Sequence, residues 1–533
     1  MSEKLFYKTF AKRSIICFFI ICCLFFITVL RISNIATTEL AKSGSDFNSL
    51  KIKIATQRGT IFDCNKYPLT NSRKKIIATV SPTPRAITAI SQVLNKEDLQ
   101  AVLDILKTDK PATCEVPKKI ECEGIVCTEI FENDDSYPAI HTIGYTDNEK
   151  NGLSGIEKAY DDILNLEKDI YVRYACDGKG KILSGVKPQL ISSPSPFSNA
   201  VVTTINVNIQ KVAEQAANHL ELGAVVVAEA KTSKIRAIVS RPDFTTSTIK
   251  EILNDKTTPL FNRALGSYNV GSVFKPCVAA GAIENRLNDF VHNCTGSVKI
   301  IDRTFHCHEK TGHKLISLEN AIAQSCNTYF FDLGFKVGSE QILKFANILN
   351  FGKSIRICDN IATAKGTLPT KETLENKAHL ANFSIGQGSF TASPVSMLPL
   401  YTAIANGGEY FMPTIIESTI KNGIESKYNV GFPTKAFSAE TATKLKDALA
   451  LVIEKGTGTK AKPTTVLAGG KTATAQTGKK VNGKEIISSW FCGFFPLEDP
   501  KYVVIVFSED TTKQTKSCAE IFAEIADKIT ALP

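Results

Sequence analysis

Asn262–Pro276 reads NRALGSYNVGSVFKP and runs straight into the apolar segment CVAAGAIE. Within it, Ser272-Val273-Phe274-Lys275 follows a glycine where a turn gives way to a helix. Residues three apart at a helix start share a face, so the Lys275 amine can reach the Ser272 hydroxyl. A serine hydroxyl is a poor nucleophile near neutral pH and needs a base beside it. Lysine can serve only when neutral, which asks its pKa to fall about three units from about 10.4. That shift costs about 4 kcal/mol and calls for burial and a second cation close by.

Ser-x-x-Lys alone carries little information, because it also begins at Ser72, Ser184, Ser247 and Ser418. Context chooses. Ser-x-x-Lys, Ser-x-Asn and Lys-Thr-Gly, in that order, form one constellation of serine acyl-transferring enzymes. Ser-x-Asn occurs at Ser267 and at Ser325-Cys326-Asn327; the second lies between the helical segments Leu318–Gln324 and TYFFDLG, in a turn that can aim both polar side chains into a cleft. The literal Lys310-Thr311-Gly312 precedes that turn and sits in a polar loop. Lys471-Thr472-Ala473-Thr474, in GGKTATAQTG, follows it on a strand pattern and is the third element; Lys471 supplies the second cation.

Around these elements the chain reads as α+β. Gly223–Ala230 and Ile235–Ser240 are apolar strands joined by a short polar turn, and Val201–Asn206 is strand-like. Near the other end, Val466–Thr474, Ile486–Phe495 and Tyr502–Ser508 are strands, the first two linked through Asn482-Gly483. Helices are expected at Ile209–Leu220 and Ser517–Leu532, each with an apolar stripe. The pattern predicts one antiparallel sheet built from both ends of a domain, with terminal helices on one face and a helical insert, 245–460, on the other.

With these residues in place, the sequence resembles a class B penicillin-binding protein, a peptidoglycan D,D-transpeptidase. The resemblance is carried by RGTIFD (Arg58–Asp63), HTIGYTD (His141–Asp147), GLSGIE (Gly152–Glu157), the Ser272 segment, SCN (Ser325–Asn327), SIGQG (Ser384–Gly388), GKTATAQ (Gly470–Gln476) and SWFCGFFP (Ser489–Pro496). It implies an N-terminal pedestal domain and a penicillin-binding transpeptidase domain. It also implies that Ser272 forms an acyl-enzyme with stem peptides or β-lactams, that Lys275 is the base, and that Ser325 relays a proton between the lysines and the leaving amine. Asn327 would hold the donor's acyl amide, while Thr472, Thr474 and the charge of Lys471 would grip the terminal carboxylate. The backbone N–H groups of Ser272 and Thr474 would form the oxyanion hole. The chemistry implied needs no metal or organic cofactor, and a membrane glycosyltransferase is the implied partner.

Two departures from the family pattern stand out. Ala473 replaces the usual glycine and shares a strand face with Lys471, so its methyl is expected to project toward the substrate side. Val270 stands where proline is usual. A D,D-carboxypeptidase using the same residues, or a scaffold disabled by Ala473, remains an alternative at this level.

The N-terminus sets the location. Ser14–Leu30 carries no charge, and seventeen residues at 1.5 Å give about 26 Å, enough for a thin bilayer. Lys4, Lys8, Lys12 and Arg13 precede it, which places the N-terminus in the cytoplasm and the rest outside. A cleaved signal peptide is the competing reading, with Ala36-Thr37-Thr38 the best available site. The expected plan is a tail (1–13), an anchor (14–30), a pedestal (31–187), a Pro/Ser-rich linker (188–199) and a transpeptidase domain (200–533). The net charge of +10 over 533 residues comes without long basic runs, which argues against nucleic acid.

Fifteen cysteines are far too few for a disulfide scaffold, yet twelve lie beyond the anchor, an odd number to export into an oxidising compartment. Cys294, Cys307, His308 and His313 have zinc-like ligand types, against a plain hairpin with free or disulfide-linked thiols. Cys326, inside the Ser-x-Asn element, is the odd one.

Overall fold

The structure, a computed structural model, describes residues 3–37, 48–165, 169–183, 185–191, 195–481 and 484–533. The expected Asn482-Gly483 turn, Ser184, Thr38, residues 1–2 of the tail and residues 192–194 of the linker lie outside them. The N-terminal segment is one helix, Glu3–Thr37, of which Lys8–Ile35 is long and apolar enough to cross a membrane. It exceeds the expected 14–30 at both ends because Lys12, Arg13 and Arg31 are no bar to helix formation.

The chain divides into two compact units that are not continuous in sequence. The smaller comprises Met1–Gln57, Lys74–Ile130 and Asp169–Ser193. It contains a three-stranded sheet of Ser49–Thr56, Asp169–Ala175 and Gln189–Ile191, and short helices at Pro84–Ser91 and Lys96–Leu106. Val80, Ala86, Ile90, Val102, Leu106 and Val116 form its core.

The larger unit takes Arg58–Arg73, Phe131–Lys168 and Pro194–Pro533. Its five-stranded sheet runs Ile235–Arg241, Gly223–Glu229, Tyr502–Ser508, Lys484–Phe495, Gly469–Val481, with every neighbouring pair antiparallel. Strand alternation sorts the sheet's two faces. Val225, Val227, Phe491, Val504 and Val506 meet the stripes of helices Val207–Ala217 and Cys518–Thr530. Val226, Trp490, Cys492, Ile505 and Phe507 face the helical insert, including Phe274 and Val278. The two-faced plan expected from the sequence is therefore present. The last helix begins with a capping box in which Ser517 and Glu520 satisfy each other's backbone N–H groups.

Two expectations shift. The first strand of the C-terminal hairpin starts at Gly469, not Val466, and runs to Val481. The strand-like segment at 201–206 is Ala200–Thr203, and it stands in a separate sheet, parallel to Thr60–Phe62 and antiparallel to Ile416–Lys421.

That second sheet ties Arg58–Arg73 to the larger unit, and side-chain contacts of Thr142, Glu157 and Asp161 bring in Phe131–Lys168, although the expected pedestal span 31–187 contains both segments. Arg58 Nε donates to Glu157 Oε2 at 2.5 Å, with the two side chains 4% and 1% exposed. Its Nη2 donates to Glu157 O at 2.7 Å and its Nη1 pairs with Asp161 Oδ1 at 2.8 Å. Asp63, at the end of RGTIFD, accepts from the backbone N–H groups of Asn65, Tyr67 and Val207. Asn262 Nδ2 donates to Thr142 Oγ1 at 3.0 Å, tying HTIGYTD to the segment that leads to Ser272. These motif residues hold structure together.

Burial pushes the Glu157 carboxyl up, and Arg58 opposes that shift by charge and hydrogen bonding. Removing one partner of a buried pair strands the other, at a cost of about 3–5 kcal/mol. Arg58→Met should therefore lower the urea midpoint of unfolding sharply, and Glu157→Leu added to it should restore much of the loss. Equal stability of Arg58→Met and wild type would contradict the role given to the pair.

Candidate active site

The three elements singled out in the sequence meet at one cavity of about 420 Å³, lined among others by Ser272, Ser325, Asn327, Thr472, Ala473 and Thr474. Ser272 sits in the tight turn Gly271–Phe274, which feeds helix Lys275–Glu284. The turn is fixed from several sides. The Phe274 ring packs on Phe351, Phe383 and Phe390, the Tyr401 hydroxyl donates to Val273 O at 3.0 Å, and Gly271 N donates to Gly386 O at 2.8 Å. Gly386 and Gln387 belong to SIGQG, so that motif braces the turn; Gln387 Nε2 also reaches Thr474 O at 3.5 Å.

Gly271 is in the left-handed region (φ +71°), and a Cβ there would lie 2.9 Å from Thr474 O and 3.4 Å from the Ala473 methyl. This places Ala473. Its methyl packs toward Gly271, opposite Trp490 in the strand register, and the residue is only 5% exposed. The methyl lies against the Ser272 turn, and Ala473 also lines the cavity, the side expected from the sequence. Trp490 Nε1 donates to Asn269 O at 2.9 Å and pins the strand pair to the same segment.

Lys275 is fully buried. Its amine donates to Ser325 O at 2.7 Å, Ser325 Oγ at 3.2 Å and Asn327 Oδ1 at 2.8 Å, and it lies 5.2 Å from the Phe330 ring centroid. These three acceptors all come from the Ser-x-Asn turn, where Ser325 has a left-handed backbone (φ 54°). The hydrogen bonds of the Lys275 amine run to Ser325 and Asn327, which line the same cavity as Ser272.

Burial brings the Lys275 pKa down to about 7, partly opposed by the thiols of Cys326 and Cys307. Lys471 is also fully buried, and its pKa is held well below the ordinary range by burial and then by the charge of Lys275. The repulsion expected to depress Lys275 thus registers on Lys471, and burial does the work on Lys275. The Lys471 amine donates to Thr472 O at 3.1 Å, and Thr472 Oγ1 lies 2.8 Å from Thr457 Oγ1. Thr474 is exposed at the cavity edge. Thr457 and Tyr401 carried no distinguishing signal in the sequence; their roles come from tertiary placement.

The expected metal ligands divide. Cys294, Cys307 and His313 converge, but the fourth member of the cluster is Cys326. His308 lines the cavity, its Nδ1 3.9 Å from Cys307 Sγ. Lys310-Thr311-Gly312, rejected as the third element, is a turn in which Thr311 bonds to Glu309.

The buried Lys275, the Ser-x-Asn turn and the Lys-Thr strand edge thus come together around the cavity that Ser272 lines, on an α+β fold. The model of the penicillin-binding protein transpeptidase domain matches residues 223–527, and the chain belongs to that family. It is similar to stage V sporulation protein D of Bacillus subtilis, 27% identical over 510 residues that cover 88% of this chain and 76% of that one. It is also similar to the peptidoglycan D,D-transpeptidase MrdA of Acinetobacter baumannii, 25% identical with 88% and 80% covered. Among solved structures, the D,D-transpeptidase domain of a peptidoglycan glycosyltransferase from Eggerthella lenta superposes with a TM-score of 0.63 at 25% identity, covering 89% of this chain and 98% of that one.

Gly271→Ala tests the brace around Ser272. A positive φ costs an L-residue about 1–2 kcal/mol before the clash with Thr474 O is counted. Penicillin labelling of this variant should slow by about tenfold or more, while Gly185→Ala, with open space around its Cβ position, should label like wild type. Unchanged labelling of Gly271→Ala would contradict the packing described.

Proposed function

We propose that this membrane-anchored protein is a peptidoglycan D,D-transpeptidase that cross-links stem peptides through a Ser272 acyl-enzyme. The observation that carries the reading is the fully buried Lys275 amine, depressed to about 7 and hydrogen-bonded to Ser325 and Asn327 beside the cavity that holds Ser272. As an ammonium, Lys275 satisfies all three of its acceptors. Once neutral it has two N–H donors and a free lone pair, which takes the Ser272 proton as Oγ attacks the donor's penultimate D-Ala carbonyl. The oxyanion forms between the backbone N–H groups of Ser272 and Thr474, where each donor is worth about 2.7–4 kcal/mol.

Collapse expels the terminal D-Ala, whose amine takes a proton relayed through Ser325. An amine of a second stem peptide then attacks the ester, gives up its proton by the same route, and regenerates Ser272. Asn327 holds the acyl amide, and Thr472 and Thr474 hold the terminal carboxylate with Lys471 behind them. A β-lactam enters the same path, but its ring-opened leaving group stays attached and blocks the acceptor. The positive charges before the anchor place the N-terminus in the cytoplasm and the catalytic unit outside. The smaller unit acts as the pedestal, and a membrane glycosyltransferase supplies the glycan strands whose peptides are joined.

Labelling with a fluorescent penicillin tests the nucleophile. Wild type and Ser247→Ala should label, and Ser272→Ala should not; absence of labelling in wild type would sink the enzymatic reading. The pH profile tests the base. Lys275 must be unprotonated to act, so with its pKa lowered to about 7 the acylation rate should rise nearly tenfold per pH unit below about 6 and level off above about 8. A rate that is flat from pH 5 to 9, or that falls as pH rises, would rule Lys275 out as the base.

A further inference from the structure

We propose that Ala473 and Val270, the two departures from the family pattern, are coupled positioning residues that together set the spacing of the oxyanion hole. The inference rests on the proposed Ser272 acyl-enzyme, in which the N–H groups of Ser272 and Thr474 receive the developing charge. The N–H of Ser272 belongs to the planar peptide unit that begins at Gly271, and the N–H of Thr474 to the unit that begins at Ala473. Contact between Gly271 and Ala473 is therefore contact between the two units whose N–H groups must converge on one oxygen.

Gly271 is gripped from two directions. Its N–H donates to Gly386 O at 2.8 Å, and Gly386 comes so close that a Cβ on it would lie 2.1 Å from Gly271 O. In the direction where a side chain of Gly271 would project stands the strand. A Cβ built there would lie 3.4 Å from the Ala473 Cβ and 3.5 Å from the Ala475 Cβ. Retreat of the turn meets Gly386, and approach to the strand meets two methyl groups. The strand cannot drift away either, because Trp490, opposite Ala473 in the register, donates from Nε1 to Asn269 O at 2.9 Å. A glycine at 473 would delete one of the two methyls and free the backbone of the unit that carries the Thr474 N–H.

Val270 enters the same fit from the other side of Gly271. It is fully buried, with φ −91°. A proline ring holds φ at about −65 ± 15°, so proline here would swing the chain by about 25° as it enters Gly271. Valine allows the observed path but does not lock it. The restraint that a ring would place at 270 comes instead from the methyl at 473. Either residue changed alone spoils the fit, and both changed together exchange one restraint for the other.

Oxyanion donors act at about 2.7–3.1 Å from the charge, and loss of a whole donor slows catalysis by about 10²–10³. A hole that keeps both donors but holds them loosely should lose less, about tenfold.

The test is acylation of the full-length protein in detergent by benzylpenicillin, followed by stopped flow. The infrared band of the acyl carbonyl, isolated by ¹³C labelling, is the second readout. In Ala473→Gly the limiting acylation rate should fall about tenfold, with the dissociation constant of the initial complex within about twofold of wild type. Its carbonyl band should move to higher frequency, since a looser hole polarises the C=O less. Ala473→Ser keeps the Cβ contact and should match wild type in both readouts. Ala237→Gly removes a fully buried methyl from the opposite edge of the same sheet and should also match wild type. Val270→Pro alone should slow acylation by a similar factor, while the double variant with Ala473→Gly should recover to within about threefold of wild type. Ala473→Gly with the wild-type rate and band, or Ala237→Gly with the same losses, would overturn the spacing role. Losses that simply multiply in the double variant would overturn the coupling to Val270. Wild type that fails to acylate would overturn the Ser272 reading itself, an outcome distinct from these.

Discussion

The buried amine of Lys275 is the constraint around which the larger unit is organised. A lysine out of water must lose its proton or find acceptors, and this one does some of each: its pKa falls to about 7, and a single turn presents it with three oxygens. Holding that turn needs a left-handed Ser325 and a helix that begins at Asn327. Holding the lysine needs the packed turn at Gly271–Phe274, which in turn needs Gly386 and the aromatic cluster beneath Phe274. The central sheet closes the arrangement, because its edge strand carries Lys471 and Ala473 against the same turn.

Much of this was legible in the chain. A continuous apolar run marked Tyr502–Ser508, and the stripe Cys518, Ile521, Phe522, Ile525, Ile529 marked the last helix; all of those helix residues are buried. The order of Ser-x-x-Lys, Ser-x-Asn and Lys-Thr separated the Ser272 segment from its look-alikes. Local pattern could not show where Ala200–Thr203 would pair, since a four-residue strand fits any sheet with an open edge. Nor could it show that Arg58 and Glu157, 99 residues apart, neutralise each other in the interior. The Ala473 methyl was assigned to the right strand face; that it also packs against the Ser272 turn is revealed only by tertiary packing.

The cysteines follow the same division. Composition excluded a disulfide framework, and among the described residues every cysteine is unpaired. Spacing drew attention to Cys294, Cys307 and His313, but spacing counts only neighbours in the chain. Cys326 joins them across the fold, so a thiol inside the Ser-x-Asn element faces away from the cavity chemistry and toward a cluster behind it.

The central claim is that these dispersed elements act as one serine acyl-transfer site with Ser272 as its nucleophile. Peptide mapping by mass spectrometry after exposure to a penicillin tests it most directly. The account predicts a single adduct on the peptide that carries Ser272, absent from Ser272→Ala. An adduct on any other serine, or none on the wild-type protein, would contradict it.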